Sequence, residues 1–256
     1  MSVSWLEPEW PAPTGVRALS TLRSGGASTA PYASLNLGAH VGDAAAAVTE
    51  NRRRLGTAAG LPAEPMWLSQ VHGTNVADLD APADAGAGAD VHASGPLRPA
   101  DAAFTRRRGR VCAMLTADCL PVLLAADSGG LVAAAHAGWR GLAAGVIENT
   151  VKALQVAPEK LMAWLGPAIG AEHFEVGAEV REALLKGDLG AEAAFAPNAR
   201  GRFMADLGEL ARRRLAALGV GRIYGGGQCT YADPDRYFSH RRDGVTGRQA
   251  TLIWLE

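Results

Sequence analysis

Cysteine, lysine and long apolar runs are all scarce in this 256-residue chain, and each scarcity excludes something. Cys112, Cys119 and Cys229 form an odd, sparse set. That is no disulfide framework, and it points to a reducing compartment. No apolar run of about 18 residues is free of charge, so no membrane-spanning helix is expected. The first residues, MSVSWLEPEWPAP, mix acids with prolines and do not read as a signal peptide, so a cytoplasmic location is expected. Net charge is −1, which gives no electrostatic case for nucleic acid or an anionic membrane as partner. Lys152, Lys160 and Lys186 are the only lysines among 25 basic residues, a bias toward arginine that reads as a mark of the genome rather than of function.

What is present is an ordinary globular composition, 48% hydrophobic and 20% charged. No repeat and no linker divides the chain, so residues 1–256 are read as one domain. Residues 43–55 read as a helix with Asp43 as N-cap and Gly56 just past its end. Residues 66–73, MWLSQVHG, read as a strand running into a glycine, and residues 80–96 as a mobile loop poor in core residues. The densest apolar region, residues 110–139, reads as three strands broken at Thr116–Pro121 and at Asp127–Gly130. One amphipathic helix is expected next, over residues 140–156, with apolar positions at 142, 146, 147, 151 and 154. A strand near 161, helices near 178 and 207, and two late strands complete a mixed-sheet α/β pattern, not a regular doubly wound one.

Three metal-capable side chains fall at strand ends or breaks. His136 ends the apolar stretch LVAAAHAGWRG among small residues. Cys119 follows Asp118 inside a strand break, with Pro121 behind it, which suggests a bulge or an edge. His72 directly precedes Gly73. A thiolate and two imidazoles, with a fourth position free, describe a catalytic zinc site that would activate water or polarise an oxygen. The same donors suit copper. The separations of 47 and 17 residues match no local zinc signature, and a free Cys among Leu and Val is ordinarily a small core hydrophobe. The neighbouring Asp118 needs a hydrogen-bonded structural role or an acid–base one. His40, His92 and His173 are read as surface or structural. Arg23, before Gly-Gly, and Arg241, before an Asp-Gly turn, are candidates for holding an anion, although a plain surface turn is the simpler reading of the first. Asn36, between two leucines, is expected to bond inward.

Taken together, TLRSGG, YASLNLG, SQVHG, LTADCLPVLLA, AHAGWRG, LGPAIG and CTYADPDRYFSHRRDGVTGRQ resemble the laccase-domain family. Its members are also called multicopper polyphenol oxidases, purine nucleoside phosphorylases and peptidoglycan editing factors. The resemblance runs from about residue 15 to residue 256, and TADCLPVLL with HAGWRG is its most specific part. It implies a four-layer α/β/β/α fold in a single domain, usually monomeric. It implies a metal site of His72, Cys119 and His136, the set already chosen on residue context. It also implies phosphorolysis of adenosine, inosine, guanosine and methylthioadenosine, with adenosine deamination. The ligands would then be purine nucleosides and phosphate. On that reading Asp118 is the candidate proton shuttle beside His72, Cys119 and His136, and Arg23, Asn36, Gln70 and Arg241 are the candidate substrate contacts. The chain departs from the pattern in its long loop 80–96 and in His240, where relatives often carry an aromatic.

Three other readings compete, one of them a non-enzymatic binding protein with a structural metal, against which the open coordination position argues. A copper-dependent polyphenol oxidase ranks lower, because a multicopper centre needs His-x-His pairs and this chain has six His and no such pair. A metal-free hydrolase, with Cys119 as nucleophile and His136 as base, would suit editing of a peptidoglycan precursor.

Overall fold

The computed structural model describes residues 2–81 and 99–256. The loop expected over 80–96 and His92 fall almost wholly outside the described residues. In chain order the elements are β1 (Trp5–Leu6), β2 (Val16–Thr21), α1 (Ala45–Ala59), β3 (Val76–Asp78), β4 (Ala102–Thr105), β5 (Val111–Thr116), β6 (Leu120–Ala126) and β7 (Val132–Ala137). Then come α2 (Trp139–Ala144), α3 (Val146–Leu154), β8 (Leu161–Leu165), β9 (Glu175–Val176), α4 (Ala178–Leu185), β10 (Phe195–Pro197) and β11 (Phe203–Ala205). The chain ends with α5 (Leu207–Ala217), β12 (Arg222–Gly225), α6 (His240–Asp243) and β13 (Gln249–Leu255). No helix among the described residues is long and apolar enough to cross a membrane.

Two sheets face each other. One is antiparallel, in the order β1-β2-β13-β5, and the other is mixed, in the order β12-β8-β6-β7-β4-β3. A small sheet, β10-β11-β9, lies apart. The two-residue period of a strand sorts the side chains into three interfaces. On β5, Val111, Ala113 and Leu115 join Leu55 of α1, while Cys112 and Met114 face the other sheet. On β6, Leu123 and Ala125 face back into that gap, while Leu120, Val122 and Leu124 pack on α2, α3 and α5. Helix, sheet, sheet, helix: the four-layer order follows from strands that are apolar on both faces.

The layers explain where the sequence breaks. The interruption at 117–119 is neither a bulge nor an edge. It is the crossing from β5 in one sheet to β6 in the other, and Asp118 makes it with φ 94°. Pro121 lies in a strand paired on both sides, and its carbonyl accepts from Gly166 N just past the end of β8 (2.9 Å). Residues 66–73 form no ladder strand. They touch β5 at Met66↔Cys112 and the approach to β4 at Ser69↔Pro99, and so bridge the two sheets. The single helix expected after residue 139 is two, because Gly145 takes φ 96°, closes α2 and opens α3. Helix α1 begins at Ala45, not at Asp43, and runs through Gly56 to a left-handed cap at Gly60. The Asp43 carboxylate instead accepts from Ser28 Oγ and Asn36 Nδ2.

Asn51 of α1 is fully buried and ties segment 27–36 to that helix. Its Nδ2 donates to Ser28 Oγ, Ser34 O and Asn36 O, and its Oδ1 accepts from Ala27 N. Asn51→Ala leaves these buried groups without partners and is expected to lower stability by about 3 kcal/mol, read from the urea midpoint.

Candidate metal centre

His136 sits on the even-numbered face of β7 with Val132 and Ala134, and therefore points into the gap between the sheets at its open end. Its backbone N–H donates to Asp101 O (2.7 Å), and its Nδ1 lies 2.8 Å from Asp101 Oδ1. Asp101 directly precedes β4, the neighbour of β7, so sheet pairing fixes this contact. A carboxylate there accepts a hydrogen bond from Nδ1–H, keeps that proton on Nδ1 and leaves Nε2 as the ligand atom.

The same carboxylate holds the second imidazole. Asp101 Oδ1 accepts from His72 N (2.9 Å), and Oδ2 accepts from Gly73 N (2.7 Å) and Val71 N (3.2 Å). Successive N–H groups wrapped round one anion form a nest. His72 pays for its place in it with φ 59°, a left-handed conformation rare outside glycine. Its ring meets that of His136 edge to face, with centroids 4.9 Å apart. Asp101 is fully buried. Burial alone would raise its pKa, but His136 and the Gly73 and Val71 N–H groups bring it below the ordinary value.

Cys119 arrives from the sheet crossing, with Sγ 3.9 Å from His72 Nε2. The ligand atoms of His72, Cys119 and His136 all lie within 4.8 Å of one another. Burial opposes the Cys119 thiolate, but His136 and His72 outweigh it and the thiol pKa falls to about 6. Burial likewise opposes a charged His136, yet Cys119 and Asp101 raise it to about 9. The two shifts favour a thiolate opposite a charged imidazole, and a divalent ion held between them would take the place of the imidazole proton.

The residues fit such an ion. A tetrahedral site with zinc-like bond lengths sets its N and S ligands about 3.5 Å apart, a small step from 3.9 Å. Gly138 leaves the room, since a Cβ there would stand 2.8 Å from Cys119 Sγ and 3.2 Å from His72 Cδ2. The group can hold a metal ion, with Asp101 orienting two of its ligands.

A cavity of ≈ 320 Å³ opens over the three donors and is lined also by His40, Gln70, Leu115, Thr116, Ala117, Arg140, His240 and Arg248. Gln70 pairs with the backbone of Leu115 in both directions (2.9 and 2.8 Å). Four other residues singled out in the sequence stay off this lining. Asp118 accepts from Thr230 Oγ1 (2.7 Å) and Arg241 N (2.6 Å), so both its oxygens anchor the crossing that carries Cys119. Arg23 donates to the carbonyls of Ala33, Pro234 and Tyr237 and lies over Phe238. Arg241 donates to Glu175 O over Phe174. Asn36 is buried and bonds inward as expected, and its Oδ1 accepts from Arg248 N (2.9 Å). Sequence reasoning passed over Asp101, Gly138, Arg140 and Arg248 and set His40 aside. An acid directly before the apolar strand AAFT was the one local signal for Asp101.

A family model described as multi-copper polyphenol oxidoreductase laccase matches residues 17–256. A Pseudomonas aeruginosa protein named purine nucleoside phosphorylase is 53% identical over 254 residues, 99% of each chain. An Escherichia coli protein, purine nucleoside phosphorylase YfiH, is 52% identical over 248 residues, 97% of each. Among solved structures, a Neisseria meningitidis protein is 47% identical with TM-score 0.89, covering 98% of this chain and 99% of its own. YlmD from Geobacillus stearothermophilus is 34% identical with TM-score 0.89, covering 98% and 96%.

Two substitutions test the centre without touching a ligand. Asp101→Asn removes the negative charge and turns an amide toward N–H donors. Affinity for zinc, measured by competition with a chromogenic chelator, is expected to fall about 10- to 100-fold. Gly138→Ala places a methyl group against Cys119 and is expected to reduce bound metal per chain, with the far-UV circular dichroism spectrum unchanged.

Proposed function

We propose that this chain, which belongs to the multi-copper polyphenol oxidoreductase laccase family, is a zinc-dependent purine nucleoside phosphorylase that also deaminates adenosine. The observation that carries the reading is the three-donor centre of His72, Cys119 and His136 at the floor of a cavity in the size range of small-molecule sites. Relatives matched along nearly their whole length bear the name purine nucleoside phosphorylase, which supplies the substrate class. Adenosine, inosine, guanosine and methylthioadenosine are the nucleosides assigned.

His72, Cys119 and His136 would hold the ion, which when bound supplies Lewis acidity toward an oxygen of the substrate or of water. Copper suits the same donors, but six His without a His-x-His pair give no multicopper centre. The rest falls to the chain's own groups. In phosphorolysis the bond from ribose C1′ to the base breaks, a phosphate oxygen bonds to C1′, and the leaving base takes a proton. His40 and His240 are the imidazoles of the lining beyond the centre, and they are the proton carriers in this scheme. His240 Nδ1 is engaged by Gly244 O at 2.7 Å, which leaves Nε2 for the substrate. In deamination a water oxygen bonds to purine C6, the bond from C6 to the exocyclic nitrogen breaks, and that nitrogen takes a proton and leaves as ammonia, over the same floor and with the same carriers. Asp118 serves by anchoring to Thr230 and Arg241 the crossing that carries Cys119, and Gln70 by holding the wall at Leu115.

One observation favours a second reading. Asp101, His136 and Cys119 stand in the order of an acid, base and thiol nucleophile, so a Cys hydrolase acting on a peptidoglycan precursor would find its parts here.

Metal-loaded protein with adenosine and phosphate is expected to yield adenine and ribose-1-phosphate, and inosine when phosphate is left out. His136→Ala is expected to reduce both at least about 100-fold while the thermal transition remains cooperative. No turnover by protein of measured zinc content would sink the nucleoside reading in favour of the hydrolase.

A further inference from the structure

The cavity over the centre has a charge pattern that its three donors do not explain. Two guanidinium groups, from Arg140 and Arg248, line it, and among the described residues no Asp or Glu does. Among those residues Cys119 is its one acidic group, and it belongs to the centre. The chain as a whole carries a net charge of −1, so the positive lining is local.

Other arginines of this protein meet carboxylates, as Arg213 meets Asp188 and Arg214 meets Glu148 at 2.9 and 2.7 Å. Among the described residues neither Arg140 nor Arg248 has such a partner. One amino group of Arg248 donates to Thr246 O and Gly247 O, both at 2.9 Å, which fixes the side chain. Its stem crosses Gly38 so closely that a Cβ there would lie 2.8 Å from Cγ. Burial works against its charge. Arg140 is exposed and stacks on Trp139 at 4.4 Å. Cys119 and Asp118 lie near enough to favour the charge of Arg248, but among the described residues no carboxylate pairs with it, so this fixed, part-buried guanidinium gains from an added anion. The guanidinium fork matches oxyanions, phosphate above all. Arg23 and Arg241 offer less, because neither lies on this lining.

We propose that Arg140 and Arg248 form an oxyanion subsite, beside the His72–Cys119–His136 centre, that takes a phosphate group. Inorganic phosphate as the co-substrate rests on the phosphorylase reading. A phosphate carried by a nucleotide has the same chemistry and would meet the same two forks.

The test is calorimetric titration of the zinc-loaded protein with inorganic phosphate and, separately, with adenosine 5′-monophosphate, together with KM for phosphate and for adenosine. In Arg140→Gln and Arg248→Gln, phosphate affinity is expected to fall at least about ten-fold while KM for adenosine stays within about two-fold. Arg248→Lys, which keeps the charge and loses the fork, should fall in between. Arg140→Gln removes an exposed side chain without hydrogen bonds, so it reports even where Arg248→Gln fails to fold. Loss confined to the monophosphate keeps the subsite and places the phosphate on the substrate. Phosphate binding that needs both arginines, without nucleoside cleavage, keeps the subsite and removes the phosphorylase reading. Unchanged affinity for both ligands in both glutamine variants overturns the subsite, as does the absence of binding of either ligand to the unsubstituted protein.

Discussion

The carboxylate of Asp101 is the contact on which the site depends. It is fully buried, yet four donors surround it: the N–H groups of Val71, His72 and Gly73 and the imidazole of His136. Hydrogen bonds to a charged acceptor in a dry setting are among the stronger ones a protein makes, and a buried carboxylate without them would be prohibitive. So loop 71–73 and the end of β7 are not independently placed. One anion fixes both, and with them the two nitrogen donors of the centre.

The third donor depends on the crossing between sheets. A chain leaving β5 must change layers within three residues to enter β6, and Asp118 accommodates this with φ 94°. The Asp118 side chain then anchors the strained turn to Thr230 and to the backbone of Arg241. Among the described residues, three besides glycine have positive φ, and two of these are His72 and Asp118. The third, Gln155, caps a helix, an ordinary use of that conformation. Strain placed at one donor and beside another, each time with a charged hydrogen-bond network over it, is what a fixed constellation requires.

How much of this was legible in the sequence follows from the range of each interaction. The strands from 110 to 137 and the helices near 178 and 207 were legible because periodicity is local. His72, Cys119 and His136 were legible as a group because each is a metal-capable side chain beside a glycine, a strand break or small residues. Asp101 was not, because its meaning comes from the pairing of β4 with β7, which brings residue 101 beside residue 136. The arginines show the same limit. Arg23 and Arg248 are alike in a string of letters, but only the fold decides that three backbone carbonyls engage Arg23 while Arg248 enters the cavity. The expected single helix failed at Gly145 for a nearer reason: apolar spacing continues across a residue whose left-handed φ divides the helix.

The metal and hydrolase readings share Cys119, His136 and Asp101, so these three residues cannot separate them. His72 can. A thiol nucleophile with its base and an orienting acid is complete without a second imidazole. Yet His72 is held 3.9 Å from Cys119 Sγ, in a left-handed conformation, by the same carboxylate that orients His136. Gly138 stands where any side chain would press on both Cys119 and His72. Backbone strain at His72 and the exclusion of a methyl group at residue 138 both keep this imidazole near the thiol, which supports the metal reading. Three donors converging on one point are what an ion needs, and a hydrolase needs only two of them.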